Sequence, residues 1–458
     1  MHTILSLIIF IVLCCWIGFI YFSNKKKFRT IQNVRGESYL LSRNMYFVIF
    51  TVCTAPIFLA SLSLLKYGLW FAIVLLLLFT GRIRTKFETI TITYIIFFLW
   101  LCYTMTYTTA PRDGVMMLIK YSLPMLFLWL GYSAMNNEKD FIILLKIVNL
   151  VACLWCFIIG GFAMVFIPPL YRFSMGIFST YAPFADYLTS IFAIPILLYW
   201  LTKEKKYILC AFWMILSTVL QSVRTGMGGM LLVFTFALLL RYKIKAIPGL
   251  LFAGAIFISV ILFVPEVNEK FFGEKAGKVT AAEIVQEDAL SFDNIEMSGR
   301  EYMWQRVKDN CYYGNETFGG GLGTSGRFVK DYGIKHNYLQ MMHNDYLQII
   351  CDTGLVGITL FIIFYLSIIF KVTSHVILRH STPLVKLTGI MALSSMAGIA
   401  FCMYFNNVVS NSMQSMVMPY IFLGFFLKAL DLEYNEKGQN KYKQYSKNNK
   451  HYIENGIR

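Results

Sequence analysis

A histidine–asparagine pair that is followed at a fixed distance by two glycines is the pattern in this chain best suited to chemistry. Nine residues separate His343 and Asn344 from Gly354, and Gly357 comes three positions later. An imidazole with a pKa of about 6.5 is well suited to exchange protons near neutral pH. The intervening residues predict a short amphipathic helix that ends at Gly354. A helix N-terminus disfavours imidazolium, so His343 is predicted to be a neutral proton acceptor, with a structural histidine as the alternative.

A second candidate lies upstream, where Ser298 and Glu301 have the spacing of a capping box. This pattern predicts a helix from Ser298, as the N-cap, to about Asn310. Arg300 would lie in the first turn, where a guanidinium beside free backbone N–H groups suits a phosphate or pyrophosphate. Trp304 would share its face. The alternative is structural: Arg300 pairs with a loop carboxylate, and Trp304 packs in a small apolar cluster.

A third candidate is an arginine in an apolar setting. Arg224 lies in residues 221–226, which join two hydrophobic segments. An arginine there is costly unless it is paired or hydrated, and such groups are functional candidates by default. Lys120 falls within another apolar segment, where snorkelling explains it as well as substrate binding does.

The glycine-rich stretch 319–323 could approach a ligand closely through its backbone, which makes Gly321 and Gly323 supporting candidates. It lacks the Lys-Ser or Lys-Thr of a P-loop, and no strand pattern precedes it. A role in shaping the loop and a role in contacting a ligand are both open.

The elements that must position these residues are membrane helices. The chain has 458 residues, of which 57% are hydrophobic and only 14% are charged, a composition typical of a polytopic membrane protein. Apolar runs of about 20 residues can cross a hydrocarbon core of about 30 Å. The pattern predicts an all-α fold with 12 or 13 spans, since one is short, at residues 4–22, 45–65, 67–80, 88–107, 114–133, 141–167, 183–201, 207–222, 226–241, 247–265, 354–371, 383–404 and 411–430.

Basic residues gather in alternate connections, which are expected to be cytoplasmic. These connections are residues 25–27, 82–86, 203–206, 241–245, 371–379 and the tail after 428. The long segment 266–353 then lies on the other side, with 14 acidic and 9 basic residues. The net charge of +16 is therefore explained by the basic residues of the cytoplasmic connections. A nucleic-acid-binding protein is not expected.

This pattern divides the chain into four predicted parts. These are an N-terminal helix bundle (1–265), an extracytoplasmic catalytic loop (266–353), C-terminal membrane helices (354–430) and a basic cytoplasmic tail (431–458). Cys153 and Cys156 form a CxxC on an apolar helix without the spacing of a zinc site, so no metal site is predicted.

Together these motifs resemble the bacterial O-antigen ligase and polysaccharide polymerase superfamily. The resemblance is concentrated in residues 221–357 and covers the order of the arginines, the glycines and the histidine motif. It implies a GT-C-like fold in the bacterial cytoplasmic membrane, with the large loop on the periplasmic or extracellular side. It also implies glycan transfer from an undecaprenyl pyrophosphate donor without a cofactor or a metal.

Mapped onto this chain, the resemblance makes His343 the catalytic base and Arg224 and Arg300 the residues that bind the pyrophosphate. The supporting residues would be Trp304, Gly321, Gly323, Asn344, Gly354 and Gly357.

The motifs do not identify the acceptor. A second lipid-linked glycan would make the protein a polymerase of O-antigen or capsular polysaccharide, whereas lipid A core would make it a ligase. We favour the polymerase, because nothing in the sequence identifies a lipid A core surface and an aromatic-rich, lipid-facing chain suits two polyprenyl-linked substrates. Besides the membrane lipids, a chain-length regulator protein is a further candidate partner. A glycolipid transporter or flippase is the second alternative, although no internal repeat typical of transporters is evident.

Overall fold

The structure is a computed structural model. It describes residues 63–79, 81, 83–135, 137–158, 160, 181–273 and 299–455, and the side chains as far as residue 436. The helices of this part are numbered in chain order. Those before the long loop and at its start are α1 (Ser63–Phe79), α2 (Thr89–Thr104), α3 (Pro111–Ala134), α4 (Glu138–Ile158), α5 (Tyr181–Ile191), α6 (Ala193–Thr202), α7 (Lys206–Leu220), α8 (Arg224–Tyr242), α9 (Ile247–Phe263) and α10 (Pro265–Phe272).

The remaining helices form the described part of the long loop and the C-terminal membrane region. They are α11 (Arg300–Val307), α12 (Thr324–His336), α13 (Asp345–Thr373), α14 (Pro383–Phe405), α15 (Val408–Asn411) and α16 (Met413–Asn455). A 3₁₀ turn at Lys243–Ala246 joins α8 to α9, and π-helical turns extend α11 at Lys308–Tyr312 and α13 at Ser374–Leu378.

The predicted class, an all-α polytopic membrane protein, is confirmed. Six stretches in the described part are long and apolar enough to cross a membrane: Pro111–Ala134, Ala182–Thr202, Arg224–Phe263, Asp345–Leu378, Pro383–Phe405 and Met413–Glu436. Arg224–Phe263 is a hairpin of α8 and α9, because Met227 and Ile261 share one apolar cluster. The predicted span 4–22, and all but the last residues of 45–65, lie outside the described residues, so the total of 12 or 13 stays a prediction.

Glycines allow the central helices to approach closely. In α3 and α16, a Cβ on Gly131 would meet the backbone of Ile421, and a Cβ on Gly424 would meet the carbonyl of Leu128. Lipid gives helices no hydrophobic reason to associate, so close backbone packing at small residues is what holds membrane helices together. α8 and α14 pack in the same way, because a Cβ on Gly398 would contact Val233.

Charged residues join the helices at one end of this bundle. Lys86 pairs with Asp431 at 2.8 Å, while Glu88 pairs with Lys371 at 3.0 Å and with Lys86 at 3.5 Å. The apolar part of α16 lies between Asp431, in this group of charged residues, and Ser412, which is at the opposite end of the bundle. Lys86 and Lys371, which the charge pattern assigns to one side, therefore do lie together.

Helix α13 is broken near its start, at the glycine that the sequence predicts as a helix stop. Gly354 has φ 68° and ψ −170° inside an otherwise helical segment. The loop before α12 fills the break with its own backbone. Gly320 and Gly321 donate to the carbonyls of Cys351 and Asp352 at 2.9 and 3.0 Å, and Leu355 donates to Glu316 at 2.8 Å. The break thus leaves few unpaired backbone groups, as a membrane surface requires.

The described part of the long loop packs over a small core of its own. Met303 and Val307 of α11 contact Val329 of α12 and Leu347 and Cys351 of α13. This core fixes α11 against the first turns of α13.

The predicted capping box is wrong, although the helix it predicts is present. α11 begins at Arg300 with Gly299, at φ 74°, as its N-cap and without a side-chain cap. Ser298 lies outside the described residues. Glycine adopts the left-handed conformation without a steric cost, so Gly299 can precede the helix directly. Arg300 lies in the first turn of the helix, as predicted.

Replacing Gly354 with alanine should destabilise the protein. The left-handed backbone disfavours a side chain, and the new Cβ would overlap the carbonyl of Thr317. We expect a loss of at least about 1–3 kcal/mol of unfolding free energy, read as a lower midpoint of thermal unfolding in detergent. Gly254→Ala is the matched control, because a Cβ there meets nothing within 4 Å. Equal midpoints for the two variants would contradict this account of the break.

Candidate active site

The backbone around His343 is held in an unusual conformation by its neighbours. His343 has φ 55°, and its N–H donates to Oδ1 of Asn407. On one side, the indole N–H of Trp304 donates to the carbonyl of Met342 at 2.7 Å. On the other, Asn344 is the N-cap of α13 and accepts from the N–H of Leu347 at 2.9 Å. Trp304 and Asn344 therefore fix the segment that carries the histidine.

The short turn after α14, residues 405–409, is the surface against which this segment rests. Asp345, the first residue of α13, accepts hydrogen bonds from the N–H groups of Val408 and Val409 at 2.7 and 3.1 Å. Phe405 contributes its carbonyl, which accepts from Nη1 of Arg300 at 2.6 Å. The 405–409 turn thus joins the starts of α11 and α13.

The ring of His343 faces an amide whose orientation is fixed. Its Nδ1 lies 3.4 Å from Oδ1 of Asn406. That oxygen also accepts from the backbone N–H of Asn407 at 3.0 Å, while Nδ2 of Asn406 donates to Asp186 at 2.8 Å. The contacts at both ends of the amide identify which atom is oxygen and which is nitrogen.

His343 is electrically neutral near neutral pH. Burial, together with the positive charge of Arg300, lowers the pKa of His343 to about 4, and the hydrogen bond to Asn406 opposes this only in part. The sequence attributes neutrality to the helix terminus, whereas burial and a neighbouring guanidinium are the causes in the structure. A neutral imidazole can accept a proton, and the role of His343 as the base stays a prediction.

Neighbouring positive charges lead away from this ring, from Arg300 to Arg224 and then to Lys270. Burial lowers the pKa of Arg300 to about 10, and the charge of Arg224 adds to the effect. Burial and Arg224 likewise lower the pKa of Lys270. Arg224 begins α8, and its guanidinium lies 5.8 Å from the ring centroid of Phe271. The three basic side chains therefore form a group that an anion would stabilise.

The glycine-rich loop has a structural task. Gly321 and Gly323 have φ 95° and 89°, and a Cβ on them would strike the backbone at Thr108 and Gly114. Asp352 accepts from the N–H groups of Gly323 and Ser325 at 2.9 and 2.8 Å. Of the two roles left open by the sequence, these contacts favour shaping the loop.

Gly357 also serves packing, because a Cβ there would overlap Thr353 and approach Trp100. Trp100 in turn donates its indole N–H to the carbonyl of Thr353 at 3.0 Å, which satisfies a group freed by the break at Gly354. Lys120 donates to the carbonyl of Ser410 at 2.6 Å. This lysine therefore contacts the chain next to the 405–409 turn.

The structure thus brings three predicted residues together, His343, Arg300 and Arg224, and places the glycines in their support. Sequence reasoning missed Asn406, Asn407 and Asp186. Two signals could have found them: an Asn-Asn pair between two apolar spans, and a carboxylate inside a span, where ionisable groups are functional candidates. Among the residues that the structure describes, no group of three His, Cys, Asp or Glu side chains could hold a metal ion.

Comparison with known families places these residues in one domain. Residues 209–362 match the family model described as O-antigen ligase, a segment that contains Arg224, Arg300 and His343. A comparison with curated proteins gives no match. Residues 209–362 are therefore similar to the O-antigen ligase family, in agreement with the resemblance that the motifs predict.

Proposed function

We propose that this protein is a membrane glycosyltransferase that moves a glycan from a polyprenyl pyrophosphate, of the undecaprenyl type, to a sugar hydroxyl. The observation that carries the proposal is the convergence of a neutral histidine with Arg300 and Arg224 from three distant parts of the chain. A proton acceptor beside a cationic anion site is what this transfer needs. The match to the O-antigen ligase family supports the same class of enzyme.

The reaction would be a single displacement at the anomeric carbon. The acceptor hydroxyl oxygen forms the new bond to this carbon, the bond from the carbon to the pyrophosphate oxygen breaks, and His343 takes the hydroxyl proton. The polyprenyl pyrophosphate leaves with the bonding electrons. One displacement inverts the anomeric configuration.

Arg300 and Arg224 would stabilise the charge that develops on the departing pyrophosphate. Arg300 uses Nη1 for the carbonyl of Phe405, which fixes the guanidinium and leaves its other N–H groups for a ligand. A planar fork of donors suits pyrophosphate oxygens. The arginines supply this stabilisation through protein groups alone, which is the basis for proposing a metal-independent reaction.

The acceptor we propose is a second lipid-linked glycan, which makes the protein a polymerase of O-antigen or capsular polysaccharide. Large apolar side chains are exposed on several helices, among them two helices that pack against different partners. Leu99 and Tyr103 are 60% and 53% exposed on α2, which packs on α13, and Phe263 is 80% exposed at the end of α9, which packs on α8. Two such surfaces suit two polyprenyl chains. Ligation to lipid A core is the second candidate, favoured by the description of the matched family.

We further propose that the protein lies in the bacterial cytoplasmic membrane with the site on the periplasmic or extracellular side. The support is the charge distribution: Lys86, Lys371 and Lys428 lie at the end of the bundle remote from His343. Basic residues favour the cytoplasmic side of a membrane.

The products of transfer test this proposal. Purified protein in liposomes would be incubated with a defined undecaprenyl pyrophosphate-linked repeat, with and without lipid A core. We expect a ladder of products on the polyprenyl carrier, and we expect His343→Ala to lower its rate by about 100-fold or more, because a general base contributes about 10²–10⁴. Transfer only to lipid A core would identify a ligase. Absence of transfer in both conditions would reject the enzyme and favour a transporter.

The pH dependence of the rate should show the effect of the Arg300 charge on the pKa of His343. With no donor bound, burial and the charge of Arg300 lower the pKa of His343 to about 4. A bound pyrophosphate would offset this positive charge, stabilise the imidazolium and raise the pKa. We therefore expect the acidic limb of kcat to lie at higher pH than the acidic limb of kcat/KM, which reports the free enzyme. Limbs that coincide would contradict the placement of the donor beside His343.

Arg300→Lys should weaken donor binding about tenfold, because lysine keeps the charge but loses the bidentate fork. Binding of undecaprenyl pyrophosphate to the purified variant would measure this. Arg306→Lys is the matched control, since Arg306 is an exposed residue of the same helix whose guanidinium contacts Tyr302. Equal affinity in both variants would assign Arg300 a structural role.

A further inference from the structure

Two buried side chains connect His343 to the membrane interior, and the sequence motifs include neither. Asn406 is 5% exposed and Asp186 is fully buried. Asp186 lies on α5 and Asn406 follows α14, so 220 positions separate them in the chain. Burying an amide or a carboxylate costs free energy unless hydrogen bonds replace those it makes to water.

The carboxylate fixes the amide. Oδ2 of Asp186 accepts from Nδ2 of Asn406 at 2.8 Å and from the hydroxyl of Ser412 at 3.0 Å. Turning the Asn406 amide over would place its oxygen against the carboxylate and its nitrogen against the backbone N–H of Asn407. Both contacts would become repulsive, so only one orientation is allowed.

The amide in turn selects the form of the imidazole. Oδ1 of Asn406 can only accept, so Nδ1 of His343, at 3.4 Å, must carry the ring proton. A neutral imidazole has one N–H, and the other nitrogen, Nε2, is then the one with a free lone pair. The partner of one ring nitrogen thus decides which nitrogen can act as the base.

We propose that Asn406 and Asp186 are positioning residues for His343: Asp186 holds the Asn406 amide, and Asn406 keeps the imidazole proton on Nδ1 so that Nε2 receives the proton of the acceptor hydroxyl. This inference rests on the proposed function. It follows the logic of a base oriented by a third group, with a neutral amide next to the ring and the carboxylate one residue further away. Neither residue is assigned a contact with substrate.

The first test separates kcat from KM. Asn406→Ala should lower kcat by about tenfold or more, because the wrong tautomer presents a protonated nitrogen, and should change the KM for the donor by less than about threefold. Asn149→Ala is the control for removing a buried amide, since Asn149 is 5% exposed on α4, which contributes none of these contacts. Asn406→Leu, which keeps the volume, replaces the alanine variant if that variant is not recovered folded. An unchanged kcat, or a change in KM alone, would overturn the inference.

The second test asks whether Asn406 acts through His343. In a His343→Ala background, Asn406→Ala should cause no further loss of the residual rate, because residues that act as a unit are not additive. A further loss by the same factor as in the wild-type background would show an independent role and overturn the inference.

The third test concerns the carboxylate. Asp186→Ala should lower kcat as Asn406→Ala does, whereas Asp186→Asn retains an oxygen toward Asn406 and Ser412 and should keep activity within about threefold of wild type. Equal losses in both variants would overturn the role assigned to Asp186. These outcomes are separable from the proposed function itself: an inactive wild-type protein would reject the proposed function, whereas an active wild type with unaffected Asn406 variants would reject only this inference.

Discussion

The hydrogen bonds of the 405–409 turn are the constraint on which the site depends. Helices α14 and α16 leave a short connection with backbone groups that must be satisfied at the membrane surface. Side chains from distant segments satisfy them: Asp345 accepts from Val408 and Val409, and Arg300 donates to Phe405. The side chains that complete the backbone pairing of this turn are therefore the same ones that assemble the site. The same hydrogen bonds therefore order the turn and position the site.

Electrostatics then determines the character of the site. Burial and the charge of Arg300 lower the pKa of His343, and burial and the charge of Arg224 lower the pKa of Arg300. Two neighbouring guanidiniums cost free energy in the absence of an anion. The charge of Asp186 opposes the effect of Arg224 on the pKa of Arg300. Binding of an anion would stabilise both guanidiniums, in keeping with the proposed pyrophosphate site.

The sequence predicted the residues whose signal is local. His343, Gly354 and the two arginines were recognisable because each is an unusual residue at a segment boundary, and the break at Gly354 lies where a helix stop was predicted. The partners of His343 were not predictable in this way. The role of Asn406 and Asp186 depends on a contact between residues that are 220 positions apart. The periodicity of a sequence does not reveal such a contact.

The break in α13 explains how a membrane helix can begin next to the histidine that we propose as the base. In a continuous helix, the membrane-spanning part would determine the direction of the N-terminal part. Gly354 removes this dependence, so residues 345–353 can direct the start of the helix toward the 405–409 turn, and Glu316, Gly320 and Gly321 provide the backbone partners that the break requires. The position of His343 is then set by Asn407 and Asp345 instead of by lipid. The glycines of this motif set the orientation of the helix start, which accounts for their spacing from the histidine.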